Sequence, residues 1–422
     1  MSTMSDKLIF SKLAYLPFFA FFLLLLAAPK IQFYGSYVYT SDFVVPFFFI
    51  FILGDKLKKV ELFFFLICVV LILFTSTVIF YISNESYSLS GLLLGVKRFF
   101  YIFIISFIGY NLRKLFYHAD SFIVAFVIWI SVFPLLFSLI EIGFFIFAGV
   151  RIFLDSVADY DLTSYNTSLI PVGFTGRALI NRKLVLIGST SITYGIFNVF
   201  IGGLSFIYYQ FTKNKSYLFF SFLFFGGAIL SGSTTVFISF FTVIINIFAK
   251  SNTSRTLLLV TTAVFIVILF YFVEFGFLSD LNSTLNSVFY GPTGEHDSVE
   301  LRLRTYYKAY AAIISNPLLL LTGSGYGFYM SQAIGDADPL IESFFIETLL
   351  GIGLFGVLLF CWFYFKILIR IKKNHQYLFS NIYKSYFVTW WWLLIFLNIF
   401  SGNIFSNEFF GSTFFFLVSF LF

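Results

Sequence analysis

The sequence predicts an all-α polytopic membrane protein of about twelve transmembrane helices with two large loops on one face. Three observations predict it. Of 422 residues, 60% are hydrophobic and only 11% are charged, where a soluble domain is nearer half apolar and a quarter charged. Apolar runs of eighteen or more residues recur along the chain, and each can cross a hydrocarbon core of about 30 Å. Lysine and arginine gather in alternate connections, as cytoplasmic loops of membrane proteins do.

Spans are expected near 13–28, 43–54, 60–82, 89–111, 121–149, 184–208, 216–231, 234–249, 256–278, 340–365, 385–400 and 409–422. The first run, Leu13 to Ala28, follows Lys7 and Lys12. It reads as an uncleaved first span, because later spans need it for a consistent orientation. With the N-terminus inside, the inside loops are GDKLKK, NLRKLFYH, QFTKNKS, AKSNTSR and KILIRIKKNHQYLFSNIYK. All are basic, and with the N-terminal segment they hold more than half of the 26 Lys and Arg. The net charge of +6 is thereby explained without a nucleic-acid partner, which a basic soluble protein would suggest. Both termini fall on the cytoplasmic side. Cys68 and Cys361 lie in apolar segments, too few for a disulfide framework and without metal-ligand spacing. They read as small buried hydrophobes.

Two outside connections, 150–183 and 279–339, are long enough to be functional rather than mere links. The chain reads as one integral membrane domain, 1–422, carrying these loops. The first loop has Arg151, then Asp155, Asp159 and Asp161, then GFTGR ending at Arg177, then Arg182 and Lys183. The three acids match no metal-loop spacing, and no metal or other cofactor is expected. The second loop contains an amphipathic helix, Ser298 to Ser315, stopped by Asn316-Pro317 and followed by an apolar LLLL. Arg304 and Lys308 are i, i+4 neighbours on one face of that helix. Arg302 is displaced to another side, and Tyr306, Tyr307 and Tyr310 interleave with the cations. One reading is an interfacial amphipathic helix. The other is anion recognition, since arginine offers a fixed fork of donors that suits phosphate and tyrosines offer flat faces to sugars. TGSGYG, which includes Gly325, lacks the Gly-Lys-Ser/Thr ending of a P-loop.

Charges inside spans are costly and point to function by default. Lys97 and Arg98 lie about a third of the way into the fourth span, where snorkelling of their long stems is the alternative. Glu141 and Glu274 read as interfacial. Glu342 stands at the outer end of the tenth span, and Glu347 about a turn and a half deeper. His118, His296 and His375 are scattered, and no Ser-His-Asp or Cys-His arrangement presents itself.

Together, Arg302 on the loop helix, Asn316-Pro317, Gly323, Gly325 and Gly327, Glu342, and the GIGLFG run of Gly351, Gly353 and Gly356 form a pattern. With the two arginine-bearing loops, it resembles the O-antigen polymerase and O-antigen ligase superfamily of bacterial envelope glycan enzymes. The resemblance spans the whole chain through loose motifs. It implies a GT-C-like, metal-independent inverting glycosyltransferase of the bacterial inner membrane. Its substrates would be undecaprenyl-pyrophosphate-linked glycans, met on the periplasmic face. By that resemblance Arg302 is the loop-helix arginine that engages the donor pyrophosphate, with Arg304 as the near alternative. Arg177 corresponds to the earlier loop's arginine, with Arg182 competing. Glu342 is the best-placed carboxylate for a base, and Lys308, Arg98, Tyr306 and Gly325 are expected to contact substrate. Ligases of the superfamily carry a histidine where this chain has Glu342-Ser343, which favours the polymerase branch, making O-antigen or capsular polysaccharide. SGSTT at 231–235 lacks an arginine that many relatives show, which weakens a role for that turn. A ligase, and from another class a polysaccharide flippase or transporter, remain the alternatives. Membrane lipid is an expected partner, and a chain-length regulator protein is left open as another.

Overall fold

The computed structural model describes residues 18–25, 30–33, 36–39, 43–45, 101–113, 120–148, 191–229, 234–250, 298–323, 343–373, 381–400 and 408–422. These residues are mainly helical. The helices include Asp120–Ala148, Ser191–Thr212, Lys215–Ile229, Thr234–Lys250, Ser298–Ser315, Leu318–Thr322, Phe344–Lys373, Asn381–Phe400 and Glu408–Leu421. Within them, Asp120–Ile140 and Phe344–Lys372 are long and apolar enough to cross a membrane, and Tyr101–Arg113, Lys215–Ile229, Thr235–Ile247 and Phe410–Leu421 are shorter apolar helices. The expected spans at 60–82 and 256–278 lie outside the described residues.

One segment departs from the expected connection. Lys30–Phe33 and Ser36–Tyr39 pair as an antiparallel hairpin, with Lys30 opposite Tyr39 and Phe33 opposite Ser36. Only Tyr34 and Gly35 separate the strands in sequence, the spacing of a two-residue hairpin, and β-branched and aromatic residues favour the pleated form.

The core is aromatic. Phe200, fully buried on the Ser191–Thr212 helix, meets Tyr386, Phe387 and Trp390 from one helix and Phe410 and Phe414 from another. Tyr386 also donates a hydrogen bond to the Phe200 carbonyl. Tyr364 stacks on Trp391 with ring centroids 3.6 Å apart and donates to its carbonyl at 2.7 Å. Packing of rings and interhelical hydrogen bonds hold the bundle together. Interlocked rings supply the first, which gives the phenylalanines among the described residues a structural use.

The turn between Thr212 and Lys215 is built from its own polar residues. Thr212 Oγ1 accepts from the Asn214 N–H at 3.3 Å, and Asn214 Oδ1 accepts from the Ser216 N–H at 3.0 Å. Lys213 takes a positive φ of 58° there.

Contacts between helix ends sort the bundle into two ends. Arg370 lies over the Tyr110 ring, 4.7 Å from its centroid, and Lys384 donates to the Lys372 carbonyl. Asn246 donates to Ser385 at 3.3 Å, and Ser121 bonds to Tyr208 at 2.6 Å. Among the described residues, the helix ends that border basic connections therefore share one end of the bundle. The Ser298–Ser315 helix packs at the other end of Asn381–Phe400, where the site is built.

Candidate functional site

The loop helix begins and ends where the sequence places it, at Ser298 and Ser315. The Asn316 N–H still bonds to the Ala312 carbonyl at 3.0 Å. Pro317 then stops the run, since it brings no N–H and biases the residue before it away from the helical region. A single further turn, Leu318–Thr322, follows and closes at Gly323.

Two attachments fix the loop helix to the bundle. Tyr306 donates a 2.6 Å hydrogen bond to the carbonyl of Ile399. Ile399 lies in the last turn of Asn381–Phe400, where helix carbonyls lack intrahelical partners. One carbonyl earlier, Asn398 accepts from Ser343 Oγ at 3.4 Å. Ser343 opens the kinked helix, so a single helix end receives donors from both neighbours. One turn farther along the loop helix, Ala309 packs on Leu350, and Ile313 and Ile346 flank that contact.

The third attachment is a crossing of two backbones. Gly323 has φ 70° and ψ 179°, and Gly353 has φ 70° and ψ −174°. This region is essentially restricted to glycine. A Cβ on Gly323 would stand 2.4 Å from the Gly351 carbonyl oxygen, and one on Gly353 would stand 2.1 Å from the Leu321 oxygen. Both departures from the L-residue norm therefore serve one close contact. Phe344–Lys373 is bent at Gly353 because of it.

These attachments set the register of the cations. Arg302, Tyr306, Ala309 and Ile313 follow i, i+4, i+7, i+11 spacing and share one stripe of the helix. That stripe is the docked one. Arg304 and Lys308 fall on the stripe with Ala311 and Ser315, which are exposed. The side chains of Arg302, Arg304 and Lys308 lie outside the described residues, as do Arg98, Arg177, Arg182, Gly325 and Glu342.

Sequence reasoning gave Tyr306 a substrate contact through its ring, and its hydroxyl is bonded to the Ile399 carbonyl. It assigned no role to Asn398, a buried polar residue in an apolar helix. The Asn398 side chain bonds back to the Leu394 carbonyl at 2.7 Å. Glu347 is 4% exposed and sits between Ile346 and Leu350, on the turn the loop helix covers. Thr348 beside it is also buried, its hydroxyl on the Phe344 carbonyl at 2.6 Å. A buried acid in an apolar helix is costly and marks a place of interest.

No protein-family model, no curated protein and no solved structure matches this chain.

Proposed function

We propose that the chain is a polysaccharide polymerase. It would be an inverting, metal-independent glycosyltransferase that extends undecaprenyl-pyrophosphate-linked repeat units into O-antigen or capsular polysaccharide. The observation that carries the reading is the docked loop helix, which brings the Arg302 stripe against the helix bearing Ser343 and Glu347. It does so at the end of the bundle away from the basic connections. With those connections in the cytoplasm, the loop helix faces the periplasm of a bacterial inner membrane. The remaining parts of the proposal are about twelve spans, a GT-C-like architecture and cytoplasmic termini.

The chemistry follows from the residue types. An acceptor sugar hydroxyl attacks the anomeric carbon of the donor repeat. Its new C–O bond forms as the bond to the pyrophosphate oxygen breaks from the opposite side, with inversion. Negative charge grows on the departing pyrophosphate. Arg302, joined by Arg177, meets that charge with preorganised donors, the type of stabilisation that usually contributes most. Arg304, Lys308, Arg98 and Arg182 extend the positive field along the carrier, and Gly325 lets the chain pass close to the glycan. Glu342 accepts the hydroxyl proton. The arginines take the place that a divalent cation holds in other pyrophosphate chemistry.

The test is polymerisation by purified protein in detergent, with a lipid-linked repeat unit as sole substrate and a chelator present. Products longer than one repeat are expected, and they should vanish with Arg302→Ala. Transfer only to a lipid A core acceptor would make the protein a ligase. Movement of the lipid-linked repeat across vesicles without bond formation would make it a flippase.

A further inference from the structure

We infer that the chain from Tyr310 to Thr322 is a re-entrant element immersed in the lipid bilayer, its exposed face covered by acyl chains rather than water. The inference rests on the membrane reading above. Three observations carry it.

The first is the exposed face. Tyr307, Tyr310 and Ile314 form an exposed ridge on the loop helix, continued by Leu318 at 66% and Leu321 at 47% exposure. A ridge of this kind on a water-facing loop would be an aggregation hazard. It abuts the outward stripe of Phe344–Lys373, where Phe355 is 64% and Leu358 is 55% exposed. That stripe belongs to a helix apolar and long enough to span the membrane.

The second is depth. Lys366 and Arg370 mark the basic end of that helix, with Lys366 over Trp362 at 4.3 Å from the ring centroid. Basic and aromatic residues anchor spans at the interface. Twenty residues back from Lys366, about 30 Å at 1.5 Å per residue, the opposite boundary falls near Ile346. Gly353 itself lies thirteen residues, about 20 Å, from Lys366 on the regular part of the helix, and so about 10 Å short of a boundary about 30 Å away, and Leu321 touches it there. The apolar turn thus reaches hydrocarbon depth.

The third is the backbone. Hydrocarbon offers no partner to a free N–H, so immersed chain must satisfy its own donors. The break between the two helices does so. Leu318 N–H bonds to Asn316 Oδ1 at 3.2 Å, Leu319 N–H to the Asn316 carbonyl at 3.0 Å and Leu320 N–H to the Pro317 carbonyl at 3.1 Å. Gly323 N–H reaches the Leu319 carbonyl at 2.9 Å, and Pro317 has no donor to satisfy. The hydroxyls of Ser315 and Thr322 turn back to the carbonyls of Ala311 and Leu318. The sequence Asn-Pro, read first as a stop signal, is also a corner whose backbone has no free N–H, since the Asn316 N–H bonds to the Ala312 carbonyl and Pro317 has none.

The test is nitroxide accessibility in liposomes of phosphatidylcholine and phosphatidylglycerol. Full-length protein with Cys68 and Cys361 replaced by Ala carries a single cysteine at position 318 or 321. Leu358→Cys is the lipid-facing reference and Lys213→Cys the water-facing one. Labels at 318 and 321 should collide with oxygen as the Leu358 label does. Their collisions with a polar nickel chelate should be on the order of tenfold rarer than at Lys213, because polar groups are costly to bring into hydrocarbon. Nickel access at both positions with Leu358 protected would overturn the re-entrant element and leave the membrane reading standing. Nickel access at Leu358 too would defeat the membrane reading, and this inference with it. Labels at 318 and 321 shielded from both reagents would mean a protein surface covers the ridge, which also overturns it.

Discussion

Gly353 and Leu321 come so close that a Cβ built on the glycine would stand 2.1 Å from the leucine carbonyl oxygen. The crossing joins the loop element to the kinked helix, and it sets where the cations of the loop helix stand. Neither backbone has room to move aside without undoing the reciprocal contact at Gly323.

Gly353→Ala should therefore be severe. The backbone region alone costs an L-residue about 1–3 kcal/mol, and the clash adds to that. The expected outcome is a lower thermal midpoint in detergent and loss of polymer even at matched membrane levels. Gly323→Ala should behave alike, since its Cβ would meet the Gly351 carbonyl. Wild-type stability in either variant would remove the crossing as a structural joint.

Tyr306→Phe removes one hydrogen bond, to the Ile399 carbonyl, and should cost about 0.5–1.5 kcal/mol. The loop helix, rather than the bundle, should feel it. Limited proteolysis should cleave in the N-terminal half of the loop helix, near 298–306, sooner, while the global midpoint shifts little. Were Tyr306 a substrate contact instead, proteolysis would be unchanged and polymer length would fall.

The two stripes of the loop helix separate its cations. Arg302→Ala should lower activity by about a hundredfold or more, the scale seen when one preorganised charge-stabilising donor is removed. Arg302→Lys should recover only part of it, because the planar fork is lost although the charge remains. Arg304→Ala and Lys308→Ala should cost far less. Equal losses at all three would mean that the docked stripe holds no privileged position.

Glu342→Gln should abolish polymer if that carboxylate takes the acceptor proton. Near-normal chain length would remove it from that role. Glu347, buried on the next turn, would then be the carboxylate to replace.

Much of the helix pattern was legible in the sequence, because long apolar runs and basic connections are robust signals. The loop helix was legible to the residue, since Asn316-Pro317 is a strong stop. The hairpin at Lys30–Tyr39 was not, because short strands flanked by apolar runs leave no clear period. The site was legible only in part. Glycines at 323 and 353 were visible as clusters, but nothing in one dimension says that two glycines thirty residues apart meet. Tyr306 drew attention as an aromatic among cations, and only the fold places its hydroxyl on Ile399. Asn398 gave a weak signal, an amide near the end of the apolar Asn381–Phe400 helix, which could have been weighed as an interhelical polar contact.

A surface-glycan gel from a bacterial strain lacking its own copy of this protein separates a polymerase from the other readings. The strain would carry wild type or Arg302→Ala at matched membrane levels. Wild type should give a ladder of repeats, and the variant and the empty strain a single-repeat band. A full ladder from Arg302→Ala would contradict the role of that arginine, and loss of all glycan in the empty strain would contradict the polymerase itself.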